Sequence, residues 1–304
     1  MVSDAPLCAA PDRAPRTPAF TVPAGATDCH VHVFGPADRY PYQDNRAYTP
    51  PDSTPDDLAR LQSALGLSRA VVVQASVHGT DNGAVCDAIA LDPVNRRGIA
   101  AVPKSVSEAD LASLHAAGVR GIRVNLVDRG GMPYDSTETV VDLARRIEPL
   151  GWHVEFLVHV ELSNDFLRLV ERLAVPSVVG HLGYAKSHGG AQHPGYQRFL
   201  ALMREGRCWA KMTGPYRISA EPTLPYDDVA PFAAALLEAA PDRLVWGSDW
   251  PHVMVTRPMP NDGDLFDLLA LWVRDKETRR TILVENPARL YGFDAAVVRE
   301  QDTP

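Results

Sequence analysis

The sequence predicts an α/β fold, a single-domain (β/α)8 TIM barrel. From Thr27 onward, eight strand-like segments alternate with helix-like segments, which is the element count of that barrel. Some strand-like segments, such as residues 70–74, are continuous apolar runs, a pattern typical of parallel strands that are buried on both faces. The 304 residues show no break in composition, which fits one barrel. An open doubly wound sheet is disfavoured because residues 31–35 do not form a Gly-rich phosphate turn.

The N-terminal part of the chain divides into an arm and the first strand. Residues 1–22 are rich in Pro and Ala and lack periodicity, so we expect an irregular arm before a barrel domain of residues 23–304. In the first strand, alternation would place Asp28, His30 and His32 on one face and the apolar residues between them on the other. Two imidazoles should therefore point the same way.

Local signals mark the ends of the later elements. Thr54 and Pro55 begin the first helix as its cap and first residue, and Gly66 ends it. Ser107 and Gly118 have the same roles for the third helix. The later strands are expected at residues 70–74, 98–102, 121–125, 153–158, 177–183 (with the exit from the strand), 208–213 and 244–250. The helices are expected at residues 54–66, 83–91, 107–117, 137–150, 163–174, 194–205, 226–239, 264–274 and 276–283.

Composition and charge argue against several classes of protein. Hydrophobic residues make up 45% and charged residues 22% of the chain, so a disordered or fibrous protein is disfavoured. The formal net charge of −8 disfavours nucleic acid or an anionic membrane as a partner. The four cysteines form no C-x-x-C pair, which argues against a thiolate zinc site and a disulfide framework. No apolar segment is long enough for a signal or a membrane span, so we expect a cytoplasmic protein.

Ionisable residues end several of the predicted strands. His30 and His32 end the first strand, Arg123 lies in the fourth, His181 ends the sixth and Asp249 ends the eighth. Active sites of such barrels are built at the carboxyl ends of the strands. Each residue alone has a structural explanation, as a core histidine or a helix cap. Together they predict that three imidazoles and a carboxylate converge on one pocket.

Several motifs carry a family resemblance. The runs DCHVH (28–32), GHLG (180–183) and WGSDWPH (246–252) resemble the amidohydrolase superfamily. More narrowly, HVFGP (32–36), QASVHGTDN (74–82) and GIR (121–123) are similar to the 2-pyrone-4,6-dicarboxylate lactonase group. The resemblance extends from about residue 27 to residue 292. It implies a barrel enzyme that hydrolyses lactones, with Asp249 as the general base that activates water.

The histidines allow two kinds of carbonyl activation. His30, His32 and His181 could polarise the lactone carbonyl and stabilise the developing oxyanion. Together with Asp249 they could instead hold one Zn²⁺ or Mn²⁺ ion. A binuclear centre is disfavoured because the strand-four bridging position offers Arg123, a permanent cation. The lactonase group works without metal, so the resemblance implies that none is required, with a single divalent ion as the alternative.

Arginines define the expected substrate class. Arg123 lies in an otherwise apolar strand, where a buried guanidinium is costly unless an anion pairs with it. The resemblance implies that Arg123, Arg129 and Arg217 bind the carboxylates of the substrate. Arginine forks suit planar bidentate recognition of a carboxylate. The resemblance further places three polar residues around that site: Ser76, His78 and Tyr48.

Two departures from the lactonase pattern bear on the substrate. Phe156 stands where the group carries an aromatic hydroxyl on strand five, and Tyr184 stands where it carries an arginine after the strand-six motif. A missing polar partner changes discrimination by orders of magnitude. The substrate could therefore be the pyrone dicarboxylate, a monocarboxylate, a sulfonated muconolactone or a sugar lactone.

The leading prediction is hydrolysis of a small acidic lactone, as in the catabolism of aromatic compounds. A metal-dependent decarboxylase of the same superfamily is one alternative, and it would need an ion at the histidines. A non-catalytic barrel that binds an acidic metabolite is another, and it would keep the arginines without needing a general base. The sequence predicts no particular oligomeric state.

Overall fold

The computed structural model describes residues 5–128, 134 and 136–294. Eight parallel strands form one sheet in chain order, from β1 to β8. Val31 forms a bridge with Trp250, just beyond β8, which joins the first and last strands. The predicted (β/α)8 barrel is thereby confirmed. No helix of the described residues is long and apolar enough to span a bilayer.

The elements follow the predicted order closely. The strands are β1 Thr27–Val31, β2 Arg69–Val73, β3 Arg96–Ala100, β4 Val119–Asn125, β5 His153–Leu157, β6 Ser177–Val179, β7 Cys208–Met212 and β8 Leu244–Trp246. The helices are α1 Pro55–Leu65, α2 Gly83–Ala90, α3 Glu108–Ala116, α4 Thr137–Ile147, α5 Asn164–Arg172, α6 Pro194–Arg204, α7 Ala230–Ala239, α8 Asp262–Trp272, α9 Lys276–Arg280 and α10 Asn286–Tyr291.

Helix ends show where local signals succeed and where they fail. Thr54 and Asp57 form the capping box of α1, and Gly66 ends this helix in the left-handed conformation. The start of α7 differs from the prediction at residue 226. Tyr226 has a φ of 55°, a left-handed conformation that cannot belong to a right-handed helix, and α7 begins only at Ala230.

An apolar layer fills the amino-terminal half of the barrel interior. It receives side chains from six strands, so it lies inside the sheet rather than between sheet and helices. Tyr291, at the end of α10, closes this end, because the segment after it accepts hydrogen bonds from Arg69 and Arg97 at the starts of β2 and β3. We call the following buried residues the apolar layer: Cys29, Val71, Val73, Ile99, Val178, Trp209, Val245, Tyr291 and Phe293.

A β-bulge in the first strand breaks the predicted alternation. The register of β1 against β2 shifts between Asp28 and Val31. Cys29 consequently packs in the apolar layer, whereas Val31 packs in the core outside the barrel. The prediction that these two residues share a face is wrong. The carboxylate of Asp28 accepts hydrogen bonds from the backbone N–H groups of Ser248 and His30, at 2.9 and 3.1 Å, and Asp28 does not line the cavity described below.

The segment before β1 runs along the outside of the barrel. Residues 5–26 contain no helix or strand, although Leu7 forms a bridge with Thr49. Arg13 pairs with Asp57 at 3.1 Å, and Arg16 pairs with Asp264 at 2.6 Å. These contacts attach the segment to the β1–α1 region and to α8.

Candidate active site

A cavity of about 210 Å³ opens at the carboxyl ends of the strands. Its position agrees with the general rule for barrels of this type. Its lining mixes imidazoles, guanidinium groups and carboxylates with a few apolar side chains. The lining residues are His32, Tyr48, Ser76, Arg123, Asp128, Leu157, His181, Tyr184, Tyr216, Arg217, Asp249, Val253, Met254, Val255, Thr256 and Arg257.

Asp249 is held by one of its two carboxylate oxygens. The Tyr216 hydroxyl donates to Oδ2 at 2.6 Å, and Arg217 Nε donates to the same oxygen at 2.5 Å. The other oxygen, Oδ1, is buried and has no hydrogen-bond partner among the described residues. His30 Nε2 lies 3.7 Å from Oδ1 and likewise has no partner in this part of the chain. Oδ1 and Nε2 are therefore the atoms free to engage a reactant.

The charges around Asp249 keep it ionised. Burial opposes ionisation, but the guanidinium of Arg217 and the neighbouring imidazoles of His181 and His30 outweigh it and hold the pKa of Asp249 well below its ordinary value. Asp249 in turn raises the pKa of Arg217 well above its ordinary value against the effect of burial. The carboxylate is thus available as a proton acceptor throughout the physiological pH range.

The three predicted histidines lie close together and are neutral. His32 and His181 line the cavity, and His30 is not among its lining residues. The ring centroid of His30 lies 5.0 Å from that of His32 and 5.3 Å from that of His181. Burial, followed by the charge of Lys211, holds the pKa of His30 well below its ordinary value. Burial and Arg123 lower the pKa of His32 to about 3. Burial lowers the pKa of His181 to about 4, although Asp249 opposes the shift. A neutral imidazole donates a hydrogen bond from one ring nitrogen and accepts a hydrogen bond at the other.

The backbone around these residues is tight. Asp249 and His181 have positive φ values, 67° and 52°, which non-glycine residues rarely adopt outside functional sites. Gly214 lets the β7–α7 loop approach closely, because a Cβ there would lie 2.8 Å from Asp249 Oδ2 and 2.9 Å from His181 Nδ1. The Thr213 hydroxyl hydrogen-bonds His181 Nδ1 at 2.9 Å. The loop therefore fixes both side chains.

Arg123 gives the cavity that Asp249 lines a cationic wall. It is 7% exposed, and its Nη1 donates to the carbonyl of Gln74 at 2.7 Å. Arg123 lines the cavity and forms no ion pair with an acidic residue in the part of the chain that the structure describes. Ser76 and Tyr48 line the same cavity, and Asn125 donates to the Ser76 hydroxyl at 2.8 Å.

The structure does not show three of the predicted substrate-binding residues free to contact a substrate in the cavity. His78 does not line the cavity; it stacks on Phe34, with ring centroids 6.0 Å apart. Arg217 lines the cavity but is bonded to Asp249 and to the carbonyl of Val253, so it positions the carboxylate. Arg129 lies outside the described residues.

The two departures from the lactonase pattern take different positions. Phe156 faces the helices and packs against Phe166, with ring centroids 5.0 Å apart, because β5 turns its odd-numbered residues into the barrel. Leu157 is the strand-five residue that lines the cavity, so the choice of Phe156 as the changed pocket residue is wrong. Tyr184 does line the cavity.

The sequence analysis missed several residues that contact the site. Glu155 and Lys211 lie beside His30, and their signal was a charge at an inward position of an otherwise apolar strand. Tyr216 precedes Arg217, and His252 ends the WGSDWPH run. The hydroxyl of Tyr216 hydrogen-bonds His252 Nδ1 at 2.9 Å, and Asp262 lies 2.9 Å from His252 Nε2. These hydrogen-bonded side chains hold the Tyr216 hydroxyl in the position from which it donates to Asp249.

His30, His181 and Asp249 form a possible metal site. Each offers one ligand atom, and these atoms all lie within 4.8 Å of one another. Unpartnered buried atoms on His30 and Asp249 and the mixed nitrogen and oxygen donors fit a divalent ion such as Zn²⁺. His32 is not part of this group of closely spaced ligand atoms. Its Nδ1 donates to the carbonyl of Val73 at 2.8 Å. The set is therefore smaller than the predicted four ligands.

Comparisons with known proteins agree with the fold and the motifs. The model of the Amidohydrolase family matches residues 27–293. The chain is 39% identical to a 2-pyrone-4,6-dicarboxylate hydrolase of Comamonas testosteroni, over 91% of this chain and 93% of that protein. It is 37% identical to a 4-sulfomuconolactone hydrolase of Rhizobium radiobacter, over 94% of this chain and 96% of that protein.

A solved structure also matches closely. It is a probable 2-pyrone-4,6-dicarboxylic acid hydrolase from Acinetobacter baumannii with citric acid bound, and it superimposes with a TM-score of 0.79. The two chains are 28% identical, and the match covers 88% of this chain and 100% of that chain. The chain belongs to the amidohydrolase family.

Proposed function

We propose that this protein hydrolyses the ring ester of a carboxylate-bearing lactone, with Asp249 as the base that activates water. One observation carries the proposal: Asp249 Oδ1 and His30 Nε2, both buried and without partners among the described residues, lie 3.7 Å apart, and Asp249 lines the same cavity as Arg123. The two curated relatives are named as hydrolases of lactones, which supports the reaction class.

The reaction needs one proton to be moved twice. Asp249 Oδ1 accepts a proton from water as the water oxygen attacks the ring carbonyl carbon. The carbonyl oxygen becomes an oxyanion, to which His30 and His181 can donate hydrogen bonds. Collapse of this intermediate breaks the bond between the carbonyl carbon and the ring oxygen. The protonated Asp249 then returns the proton to the leaving oxygen, which restores the carboxylate.

The cavity wall selects an acidic ring. Arg123 is available to a substrate anion, whereas the Arg257 guanidinium donates to the backbone carbonyls of Ser219 and Glu221. We assign Ser76 and Tyr48 to the polar rim that contacts the ring substituents. The related Acinetobacter protein has citric acid, a polycarboxylate, bound in its structure. Leu157 and Tyr184 are the lining positions at which this chain can distinguish a carboxylate, a sulfonate or a sugar hydroxyl.

The reaction as proposed uses only groups of the protein. His30, His181 and Asp249 would be the ligands of a single divalent ion, which would polarise the carbonyl and lower the pKa of a bound water. This ligand group favours a metal-dependent decarboxylase as the second candidate function. The four cysteines are unpaired, which fits the proposed location in a reducing cytoplasm.

A panel of substrates with metal analysis tests the proposal. The purified protein, treated with a chelator and analysed for metal, is assayed with a pyrone dicarboxylate, a sulfonated muconolactone, a sugar lactone and an uncharged lactone. We expect ring opening of an acidic lactone without added metal, and at least about 100-fold less activity on the uncharged lactone, which cannot pair with Arg123. Activity that requires Zn²⁺ or Mn²⁺, or release of CO₂, would favour the second candidate.

A further inference from the structure

A buried ion pair lies directly against the candidate site. Lys211 on β7 and Glu155 on β5 both point into the barrel, and Lys211 Nζ lies 2.6 Å from Glu155 Oε2. Their side chains are 0% and 2% exposed. Lys211 also donates to the backbone carbonyl of Cys29 at 2.7 Å. Because a buried ion pair is often no more stabilising than apolar residues of similar volume, the position of this pair is more informative than its energy.

Both members of the pair reach the same atom of His30. Lys211 Nζ hydrogen-bonds Nδ1 at 3.2 Å, and Glu155 Oε1 makes an ion-pair contact with Nδ1 at 3.2 Å. An ammonium group only donates hydrogen bonds, and a carboxylate only accepts them. Since a neutral imidazole carries one proton, the partner that engages Nδ1 decides which ring nitrogen carries it.

The other ring nitrogen of His30, Nε2, faces Asp249. Nε2 lies 3.7 Å from Asp249 Oδ1. When Lys211 donates to Nδ1, the proton is on Nε2 and His30 presents an N–H group on the side of Asp249, which lines the cavity. When Nδ1 donates to Glu155, Nε2 presents a lone pair, which is the form that coordinates a metal ion. The two tautomers thus give His30 opposite chemical roles.

We propose that Lys211 is a positioning residue that keeps neutral His30 protonated on Nε2, so that His30 donates a hydrogen bond to the lactone carbonyl oxygen as negative charge develops there. This inference rests on the proposed function, because it assigns a role within that reaction. The ammonium charge beside Nδ1 repels a proton from that nitrogen. Glu155 neutralises Lys211 and holds Nζ against the ring. A preorganised donor of this kind is worth about 10²- to 10³-fold in kcat.

Nuclear magnetic resonance tests the tautomer without substrate or turnover. Long-range ¹H–¹⁵N correlation spectra of the protein with ¹⁵N-labelled histidine show which ring nitrogen carries the proton, and the signals of His30 are those lost in His30→Asn. Wild type is expected to be protonated on Nε2. In Lys211→Met, Glu155 is the partner of Nδ1 that remains among the described residues, and the proton is expected to move to Nδ1. Glu155→Gln is the matched control, which retains Lys211 and the Nε2–H form.

Two results would overturn the proposal: an Nδ1–H tautomer in wild type, or an unchanged Nε2–H tautomer in Lys211→Met. Lys211→Met leaves Glu155 buried without its counter-ion, which is strongly destabilising. If this variant does not fold, the double variant Lys211→Met/Glu155→Leu, which lacks both charges, tests whether Lys211 sets the tautomer of His30. It should populate both tautomers, and exclusive retention of the Nε2–H form would contradict the role of Lys211.

Kinetics separate positioning from substrate binding. With a lactone that the enzyme hydrolyses, Lys211→Met should lower kcat about 10- to 100-fold and change KM less than about threefold, because Lys211 does not line the cavity. A rise in KM with kcat retained would contradict the proposal. If no lactone is hydrolysed, the proposed function fails while the spectra still decide the tautomer. If the tautomer is wrong, lactone hydrolysis stands and His30 has a different role in it.

Discussion

The two layers inside the barrel come from the same strands and have opposite characters. β5 carries His153 beside the apolar layer and Glu155 one inward position later, and β7 carries Trp209 and then Lys211. We call His30, Arg123, Glu155 and Lys211 the ionisable layer. In barrels of this type the carboxyl end carries chemistry and the amino end carries stability. Substitutions a single inward position apart should therefore change different properties.

The largest effect is expected at Asp249, above the ionisable layer. Asp249→Asn should lower kcat at least about 1000-fold, because an amide does not accept the proton of water and general-base catalysis contributes about 10²- to 10⁴-fold. Steady-state kinetics on chelator-treated protein measure it. Asp264→Asn, which alters an exposed ion pair with Arg16, is the control and should retain activity. Normal turnover by Asp249→Asn would remove the proposed mechanism.

Arg123 should affect binding more than chemistry. Arg123→Met removes the cation that faces the substrate anion, so KM should rise about 10- to 100-fold, as a charge-assisted hydrogen bond contributes about 1.5 to 3 kcal/mol. Arg257→Met is the matched control, since that guanidinium already donates to the carbonyls of Ser219 and Glu221. Equal changes in KM for the two variants would contradict the role of Arg123.

His153, beside the apolar layer, should affect stability in a pH-dependent way. Burial lowers its pKa to about 4, below the ordinary value of 6.5. Between pH 6.5 and 4 the unfolded chain therefore binds a proton that the folded chain does not. As the pH is lowered through this window, the free energy of unfolding decreases by up to roughly 3 kcal/mol.

His153→Leu removes this contribution. Urea unfolding at pH 7 and pH 4 should show a smaller loss of stability than in wild type, while kcat/KM at pH 7 stays unchanged. Some loss should persist, because the lowered pKa values of His32 and His181 act with the same sign. An identical loss in wild type and variant would show that His153 is not a buried neutral group.

The smallest effect is expected from removing the hydroxyl of Tyr291 in the apolar layer, and removing the hydroxyl of Tyr216 at the candidate site provides the contrast. The Tyr291 hydroxyl in the apolar layer has no hydrogen-bond partner among the described residues. Tyr291→Phe should leave kcat unchanged and leave the free energy of unfolding unchanged or raised by about 1 kcal/mol. Tyr216→Phe should instead lower kcat, because its hydroxyl donates to Asp249. A larger kinetic effect of Tyr291→Phe would contradict the separation of the layers.

The barrel and the position of its cavity could be predicted because their signals are local. Capping residues such as Thr54 and Ser107 mark helix starts in the sequence, and buried strands appear as apolar runs. The carboxyl-end rule then predicts that Asp249 and His181 lie at one pocket. These inferences need only the order of the elements.

Other features depend on pairing between distant segments. The bulge between Asp28 and Val31 arises from the register of β1 against β2. The alternation of residues within β1 carries no information about this register. The resemblance implies that Arg217 binds the substrate, yet it pairs with Asp249 because two loops from neighbouring strands meet. Lys211 is a charge within an otherwise apolar strand, a signal that the sequence analysis did not use, and only the closed barrel shows that it reaches His30.

The most direct test of the central claim follows water oxygen into the product. If Asp249 activates a water molecule that attacks the ring carbonyl, hydrolysis in H₂¹⁸O of the lactone turned over fastest should place one ¹⁸O atom in the new carboxylate of each product molecule. Mass spectrometry of a single turnover measures the label. Product that forms without ¹⁸O in that carboxylate, with or without release of CO₂, would contradict the account.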